Sequence, residues 1–308
     1  MSSAAKAASI IRRSLLYVPA SSQKMLSKSL GLKSDNITYD LEDSDAPRRA
    51  TLAPPSVAEV AVRINAVSTP LALADLTALA PLSQVDAVVV PKVDSPADLT
   101  FVTDVLRHVA PERHASGSEN PIKIIALIES AKAVMDLSSI CKASPFLSGL
   151  IFAAEDFALD LSITRTPSLT EFLYARSAIV TAARAACLPS AIDLVCTSYQ
   201  GEAGLQRLQD ECRGGRSMGF NGKQCIHPAQ VDTVQRMFAP AADELEWAVR
   251  ILIADEKAVS LGRGAWTLDG KMIDAPVVGK AKALARRAEQ CDMNVESLRA
   301  KWKHQEPE

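Results

Sequence analysis

Short apolar runs recur along the chain, each bounded by polar residues, and segments of helical pattern lie between them. Runs of this length read as strands buried on both faces. Strands are predicted near 14–18, 36–41, 58–64, 86–90, 122–127, 149–153, 190–195 and 222–226. Helices are predicted over 21–31, 71–80, 95–109, 131–141, 168–187, 200–216 and 228–237. Two helix starts carry their own signals. Ser168 is followed three residues on by Glu171, a capping pattern, and Asp94-Ser95-Pro96 precedes the third helix.

Eight strands alternating with helices over about 240 residues suggest a (β/α)8 TIM barrel. A doubly wound open sheet gives the same alternation, because the pattern does not show closure. Pro19-Ala20-Ser21-Ser22 follows the first strand where a dinucleotide fold has a glycine-rich loop, which weighs against that fold. The expected organisation is a flexible tail at 1–11, a barrel at 12–239 and a C-terminal lid or oligomerisation extension at 240–308. The extension reads as a helix over 241–261, a link bearing Gly262 and Gly264, a short strand or turn over 265–272 and a helix from 275. The basic stretch from Lys280 to Lys303 is diluted by Glu289, Asp292 and Glu296 and reads as a solvated helix face.

Composition narrows the function classes. Hydrophobic residues make up 48% of the chain, ample for a full core, and the formal net charge of −2 gives no basic surface for nucleic acid. No apolar stretch reaches the length of a membrane span. The six cysteines show no CxxC pair and no zinc spacing, and read as buried reduced thiols of an intracellular protein. No acid precedes Asp35, and Lys6, Arg12 and Arg13 stand among Ala and Ser. Two readings stand for this N-terminus: a mitochondrial presequence, or a disordered tail on a cytoplasmic protein.

Three of the apolar runs end on acid: Ile37 to Asp43, Ile124 to Glu129, and Leu150 to Asp156. Parallel strands gather such acids at one rim of the sheet. Crowded carboxylates repel one another and are costly to desolvate, and a hard divalent cation is the usual compensation. In a (β/α)8 barrel the chemistry sits at this C-terminal rim. Its expected polar residues are Tyr17, Asp40, Glu42, Asp43, Arg63, Asn65, Lys92, Glu129, Glu155, Asp156, Asp193 and His227. Strand ends meet water and are polar anyway, so it is the recurrence of both charge signs that is informative. His227, alone after a buried strand, reads as a structural hydrogen-bonder.

Seven segments carry a family resemblance: Arg12-Arg13-Ser14-Leu15-Leu16-Tyr17-Val18-Pro19, Asp40-Leu41-Glu42-Asp43, Val62-Arg63-Ile64-Asn65, Val90-Pro91-Lys92-Val93, Ile128-Glu129-Ser130-Ala131, Ala154-Glu155-Asp156-Phe157 and Gly222-Lys223-Gln224-Cys225-Ile226-His227-Pro228. On these the chain resembles the citrate lyase β-subunit-like proteins of the HpcH/HpaI aldolase superfamily. The resemblance implies a (β/α)8 barrel that binds Mg²⁺, with Mn²⁺ as a substitute, through Glu129 and Asp156. It implies that Arg63 supports an enolate oxygen and that the protein is a homotrimer. Gly270-Lys271-Met272-Ile273-Asp274-Ala275-Pro276 looks like the segment of malyl-CoA and citramalyl-CoA lyases that carries a catalytic aspartate into a neighbouring subunit's site. Asp274 also suits an N-cap on the helix from Ala275.

The implied reaction is cleavage of a 3-hydroxyacyl-CoA thioester, citramalyl-CoA or malyl-CoA, to acetyl-CoA and a 2-keto acid, pyruvate or glyoxylate. Malate synthase or malyl-CoA thioesterase activity, or service as the citryl lyase subunit of a larger complex, are the alternatives. Arg63 and Asp274 are the expected catalytic residues, with Glu42 and Asp43 orienting Arg63 and water. Tyr17 and the turn at Ala154 and Glu155 are expected at the substrate, and Lys24, Arg12 and Lys92 are candidates for the CoA phosphates. Ala20 replaces the family's usual glycine, Asp45 a commonly apolar residue, and Arg48-Arg49 the usual lysines. These departures touch specificity more than chemistry.

Overall fold

Each apolar run forms a strand, and the eight strands close on themselves. In a computed structural model, which describes residues 10–42 and 59–308, β1 (Ser14–Pro19), β2 (Asn36–Asp40), β3 (Glu59–Arg63), β4 (Ala87–Val90), β5 (Lys123–Ile128), β6 (Leu147–Phe152), β7 (Ser190–Asp193) and β8 (Gly222–Cys225) form a closed barrel in sequence order. All eight pairings are parallel, and β1 pairs with both β2 and β8. Closure settles the choice against an open sheet. Asp43, Asp45, Arg48, Arg49 and positions 1–9 of the expected tail lie outside the described residues.

The helices follow the expected order: α1 (Gln23–Ser29), α2 (Leu71–Leu79), α3 (Pro96–Val109), α4 (Pro111–His114), α5 (Ala131–Met135), α6 (Leu137–Ile140), α7 (Ala154–Asp160), α8 (Leu173–Ala185), α9 (Gly201–Met218) and α10 (Val231–Phe238). At α3 the Asp98 carboxylate accepts from the N–H groups of Asp94 and Ser95, both at 2.9 Å, as the start signal required. Three details differ from the sequence reading. The single helix expected over 131–141 breaks at Asp136, whose φ of −111° and ψ of 16° are not helical. The short helix α7 was hidden, because its first turn holds the acids read as a strand end. Ser168 is not an N-cap: Leu169 turns into the left-handed region at φ 55°, a 3-10 turn follows at Thr170–Phe172, and Glu171 accepts from the N–H and hydroxyl of Thr166 instead.

Two-residue alternation along the strands sorts the core into two sets. Leu15, Ala61, Val89, Ile125, Leu127, Ile151 and Ile192 pack together inside the barrel, while Leu16, Val18, Ile37, Tyr39, Val62 and Val88 belong to the larger layer with the helices. Stepping two residues toward the C-terminal end from the inner set gives Tyr17, Arg63 and Glu129, and the same alternation on β2 gives Asp40. Asp193, next to inward Ile192, therefore faces out, fully buried against Arg176 at 2.6 Å. This corrects its placement at the rim.

Stepping the other way reaches a polar plug. Arg12, 1% exposed, donates to both Glu59 oxygens (2.6 and 2.8 Å), to the Ser148 carbonyl and hydroxyl (3.0 and 2.9 Å) and to the Ser190 hydroxyl (3.1 Å). That uses all five guanidinium N–H donors. Ser148 is the residue skipped where the β5–β6 register shifts, which frees its carbonyl for Arg12. Burial works against the Glu59 charge, but the Arg12 charge and hydrogen bonds, with the Asn36 amide, hold its carboxyl below the usual range. Gly222 is required here, since a Cβ would stand 1.8 Å from the Arg12 carbonyl oxygen. Arg12 is thus a structural residue at the N-terminal end of the barrel, and its candidacy for CoA phosphate is withdrawn.

The chain divides into two compact units between Phe238 and Ala239. The second holds α11 (Ala242–Ser260), a hairpin of β9 (Trp266–Leu268) and β10 (Lys271–Ile273), α12 (Ala275–Gln290) and α13 (Val295–Lys301). The hairpin turns at Asp269-Gly270, both with positive φ, the usual chemistry of a two-residue turn. Trp266, Leu268, Ile273, Ile251 and Val278 form its core, and the Asp274 carboxylate caps α12 by accepting from the Val277 N–H at 3.2 Å.

Replacing Arg12 by Met is expected to cost about 3–5 kcal/mol in denaturant unfolding, because Glu59 is left buried without its cation. The double variant Arg12→Met/Glu59→Leu is expected to recover most of that loss; equal loss in both would show that the ion pair is not what holds the plug.

Candidate active site

The C-terminal mouth of the barrel gathers residues from β1, β2, β3, β4 and β5. Arg63, ending β3, is gripped by Asp40, ending β2, through Nε at 2.8 Å and Nη2 at 2.6 Å. Its Nη1 lies 2.7 Å from a Glu42 oxygen, and its guanidinium lies over the Tyr17 ring, 4.8 Å from the centroid. Burial disfavours the Arg63 charge, but Asp40 and Glu42 more than offset this and hold its pKa above the ordinary value. Arg63 is therefore a fixed cation with donor capacity left over. Burial also pushes the Tyr17 hydroxyl up, against the opposing Arg63 charge, so it stays neutral and donates to Gln224 Oε1 at 3.1 Å.

Lys92 is drawn into the same cluster. Its φ of 51° is left-handed, a strained position for a residue with a side chain, and its ammonium stands 3.2 Å from Glu42. The Lys92 backbone N–H hydrogen-bonds the Glu129 carboxylate. Lys92 thus stands at the mouth beside Glu42.

Glu129, 5% exposed, continues the inward line of Ile125 and Leu127. Its Oε1 is buried and has no hydrogen-bond partner among the described residues. Burial, the Asp156 charge and the Glu42 charge together push its carboxyl up to about 7, against the Lys92 N–H and the Arg63 charge. Asp156 lies in the first turn of α7, exposed at the rim. With Glu129 ionised, Asp40, Glu42, Glu129 and Asp156 carry two more negative charges than Arg63 and Lys92 supply. An orphaned carboxylate oxygen and an acid excess of two suit a hard divalent cation bound by oxygen. Among the described residues no three His, Cys, Asp or Glu side chains form a closed metal cage. A two-carboxylate site leaves the remaining positions to water and substrate.

The other expected residues fall in three places. Ala154 is buried at the start of α7, while Glu155 turns aside to pair with Arg165. Lys24 is exposed on α1. Asp274 belongs to the second unit, and Asp43 lies outside the described residues. His227 caps the turn after β8 by accepting from the Ala229 N–H at 3.2 Å and stacks on Tyr199, a structural role. Gln224 was missed. The alternation from Gly222 points it inward, and its amide also donates to the carbonyls of Phe152 and Asp193, at 2.9 and 3.2 Å.

Comparison with known proteins places this site in a family. The family model described as HpcH/HpaI aldolase/citrate lyase matches residues 13–228. The mitochondrial citramalyl-CoA lyase of Rattus norvegicus is 34% identical over 299 residues, covering 90% of this chain and 86% of that protein. The citrate lyase subunit beta of Haemophilus influenzae is 35% identical over 289 residues, covering 90% of this chain and 97% of that one. Among solved structures, protein CitE from Mycobacterium tuberculosis in complex with magnesium, acetoacetate and coenzyme A has a TM-score of 0.70 at 29% identity, covering 90% of this chain and 97% of that one. The closed barrel, the acid-rich mouth and these matches lead to one conclusion: the chain belongs to the HpcH/HpaI aldolase/citrate lyase family.

Proposed function

We propose that this carbon–carbon lyase is Mg²⁺-dependent and cleaves citramalyl-CoA or malyl-CoA to acetyl-CoA and a 2-keto acid. The observation that carries the reading is the buried Glu129 carboxylate beside Asp156, one oxygen of which has no hydrogen-bond partner among the described residues. These two would hold the ion, and Mn²⁺, another cation that takes oxygen ligands, suits the same donors. When bound there, Mg²⁺ supplies Lewis-acid polarisation of the keto-acid oxygens.

The chain's own groups supply the rest. The hydroxyl passes its proton to the water oriented by Glu42 and Asp43 as its carbon becomes the keto carbonyl; the bond to the acetyl carbon breaks, its electron pair moves into the thioester, and charge develops on the thioester carbonyl oxygen. Arg63, fixed by Asp40 and Glu42, has N–H donors left to receive that oxygen without reorganising. Tyr17 holds the guanidinium from its ring face. Asp43 is assigned to orienting Arg63 and water, beside Glu42. Backbone N–H groups at the start of α7 are assigned to the keto-acid carboxylate, and Lys24 to a CoA phosphate. Asp274 returns the proton to the acetyl carbon, donated from a neighbouring copy of a homotrimer. The resemblance of its segment to malyl-CoA and citramalyl-CoA lyases supports that role. The mitochondrial relative and the basic N-terminal residues support a mitochondrial address.

Asp156→Ala is expected to abolish Mg²⁺-dependent cleavage of citramalyl-CoA while leaving the circular dichroism spectrum unchanged; full activity would remove Asp156 from the metal site. Asp274→Asn is expected to be inactive alone. Mixed and reassembled with Asp156→Ala, it is expected to restore both groups in roughly a quarter of the sites if Asp274 crosses between copies. No recovery on mixing would place Asp274 in its own chain's site.

The raised Glu129 pKa sets a pH dependence. An acid that binds its proton more tightly folded than unfolded costs stability as pH rises above the ordinary carboxyl range, and the full cost is present above about 7. In the absence of metal, Glu129→Gln is therefore expected to stabilise the chain by about 1–3 kcal/mol at pH 8 and by much less at pH 5. Denaturant unfolding in a chelator at the two pH values checks this; equal effects would mean that Glu129 is not carrying a buried charge.

A further inference from the structure

Asp156 sits on a helix of seven residues that is pinned at both ends. At its far end, the Asp160 carboxylate accepts from the Ala131 N–H at 2.7 Å, two residues beyond Glu129. Its middle is fixed by Phe157, which packs edge-on against Phe152 and Phe172 with ring centroids 5.3 and 6.3 Å away. At the near end the tie is Glu155, whose carboxylate pairs with Arg165. Arg165 lies in the segment after α7, so the chain doubles back and clasps the first turn of its own helix.

Arg165 is itself firmly held. Its Nη2 donates to the Val195 carbonyl at 3.0 Å and to buried Glu211 on α9 at 2.8 Å. The second Glu211 oxygen stands 3.0 Å from the Lys223 ammonium of β8 as an ion pair. Lys223, fully buried, donates in turn to the Leu194 carbonyl at 2.7 Å. A chain of alternating charges thus runs from the wall behind β7 and β8 to the residue preceding Asp156. Glu155 and Glu211 balance Arg165 and Lys223, so this network leaves the acid excess at the mouth unchanged.

We propose that Arg165 is a positioning residue for the metal site: through Glu155 it fixes the first turn of α7 and so presents Asp156 beside Glu129. The Glu155 side chain is the handle of this clasp. The inference rests on the assignment of Asp156 to Mg²⁺. Groups that orient a metal-binding carboxylate typically contribute ten- to a hundred-fold in affinity.

The test is Mg²⁺ binding by titration calorimetry on the full chain without substrate. Arg165→Met and Glu155→Gln are each expected to weaken Mg²⁺ binding about tenfold or more. The double variant is expected to lose no more than Arg165→Met alone, because both remove one clasp. Arg165→Lys keeps one charge contact and is expected to recover part of the affinity. Arg207→Met, which removes a 2.7 Å hydrogen bond to the Pro167 carbonyl in the same segment, is expected to leave affinity unchanged and serves as the control for general loosening. If Arg165→Met does not fold, Glu155→Gln decides, since Glu155 is half exposed and buries no unpaired charge when changed. Mg²⁺ affinity within twofold of the parent in Glu155→Gln, or a loss in Arg207→Met equal to that in Arg165→Met, overturns the inference. A parent chain that binds no Mg²⁺ overturns the metal assignment itself.

Discussion

A carboxylate removed from water with one oxygen left without a donor is costly to ionise, and Glu129 carries that cost at the centre of the barrel mouth. Its neighbours are arranged around the debt. Asp156 and Glu42 raise it, while Arg63 and the Lys92 N–H lower it without cancelling it. Asp40 and Glu42 hold three of Arg63's donors, and none of the others reaches the buried Glu129 oxygen. What remains is a site two charges short of neutrality, with an oxygen waiting for a partner. The chemistry assigned to the mouth depends on that imbalance.

The opposite end of the barrel makes the contrast. There a charged pair is buried just as deeply, yet every Arg12 donor is used and Glu59 is held in its charged form. One end closes the barrel with a satisfied network; the other keeps an unsatisfied one. The same division, stability at the N-terminal face and chemistry at the C-terminal face, is general for this fold. The ion network from Lys223 to Glu155 joins the two kinds of structure. It is balanced in charge, and it bears on the residue next to Asp156.

Much of this was legible in the chain. The eight strands announced themselves as apolar runs, and the acids that ended three of them marked the mouth. The alternation within strands carries further information. It turns Asp193 outward against Arg176 and turns Gln224 inward beside Tyr17, and both follow from counting in twos from Ile192 and Gly222. Ser168 misled because Leu169, in the left-handed region, displaced the cap. Arg12 misled for another reason. A basic residue at a strand boundary has the same local sequence whether it seeks phosphate, a buried acid or a neighbouring carboxylate. The partners of Arg12, Arg165 and Lys223 lie 29 or more residues away in at least one contact, and no local pattern reports them.

Under the proposed function, Glu129 is kept buried and proton-hungry for a metal. Mg²⁺ binding measured calorimetrically at pH 6, in two buffers of different ionisation enthalpy, tests it directly. With its carboxyl near 7, Glu129 is mostly protonated at that pH in the free site, so about one proton should leave as each Mg²⁺ binds. Glu129→Gln should abolish both the release and most of the affinity. Mg²⁺ binding with no proton released, and unchanged in Glu129→Gln, would contradict the account.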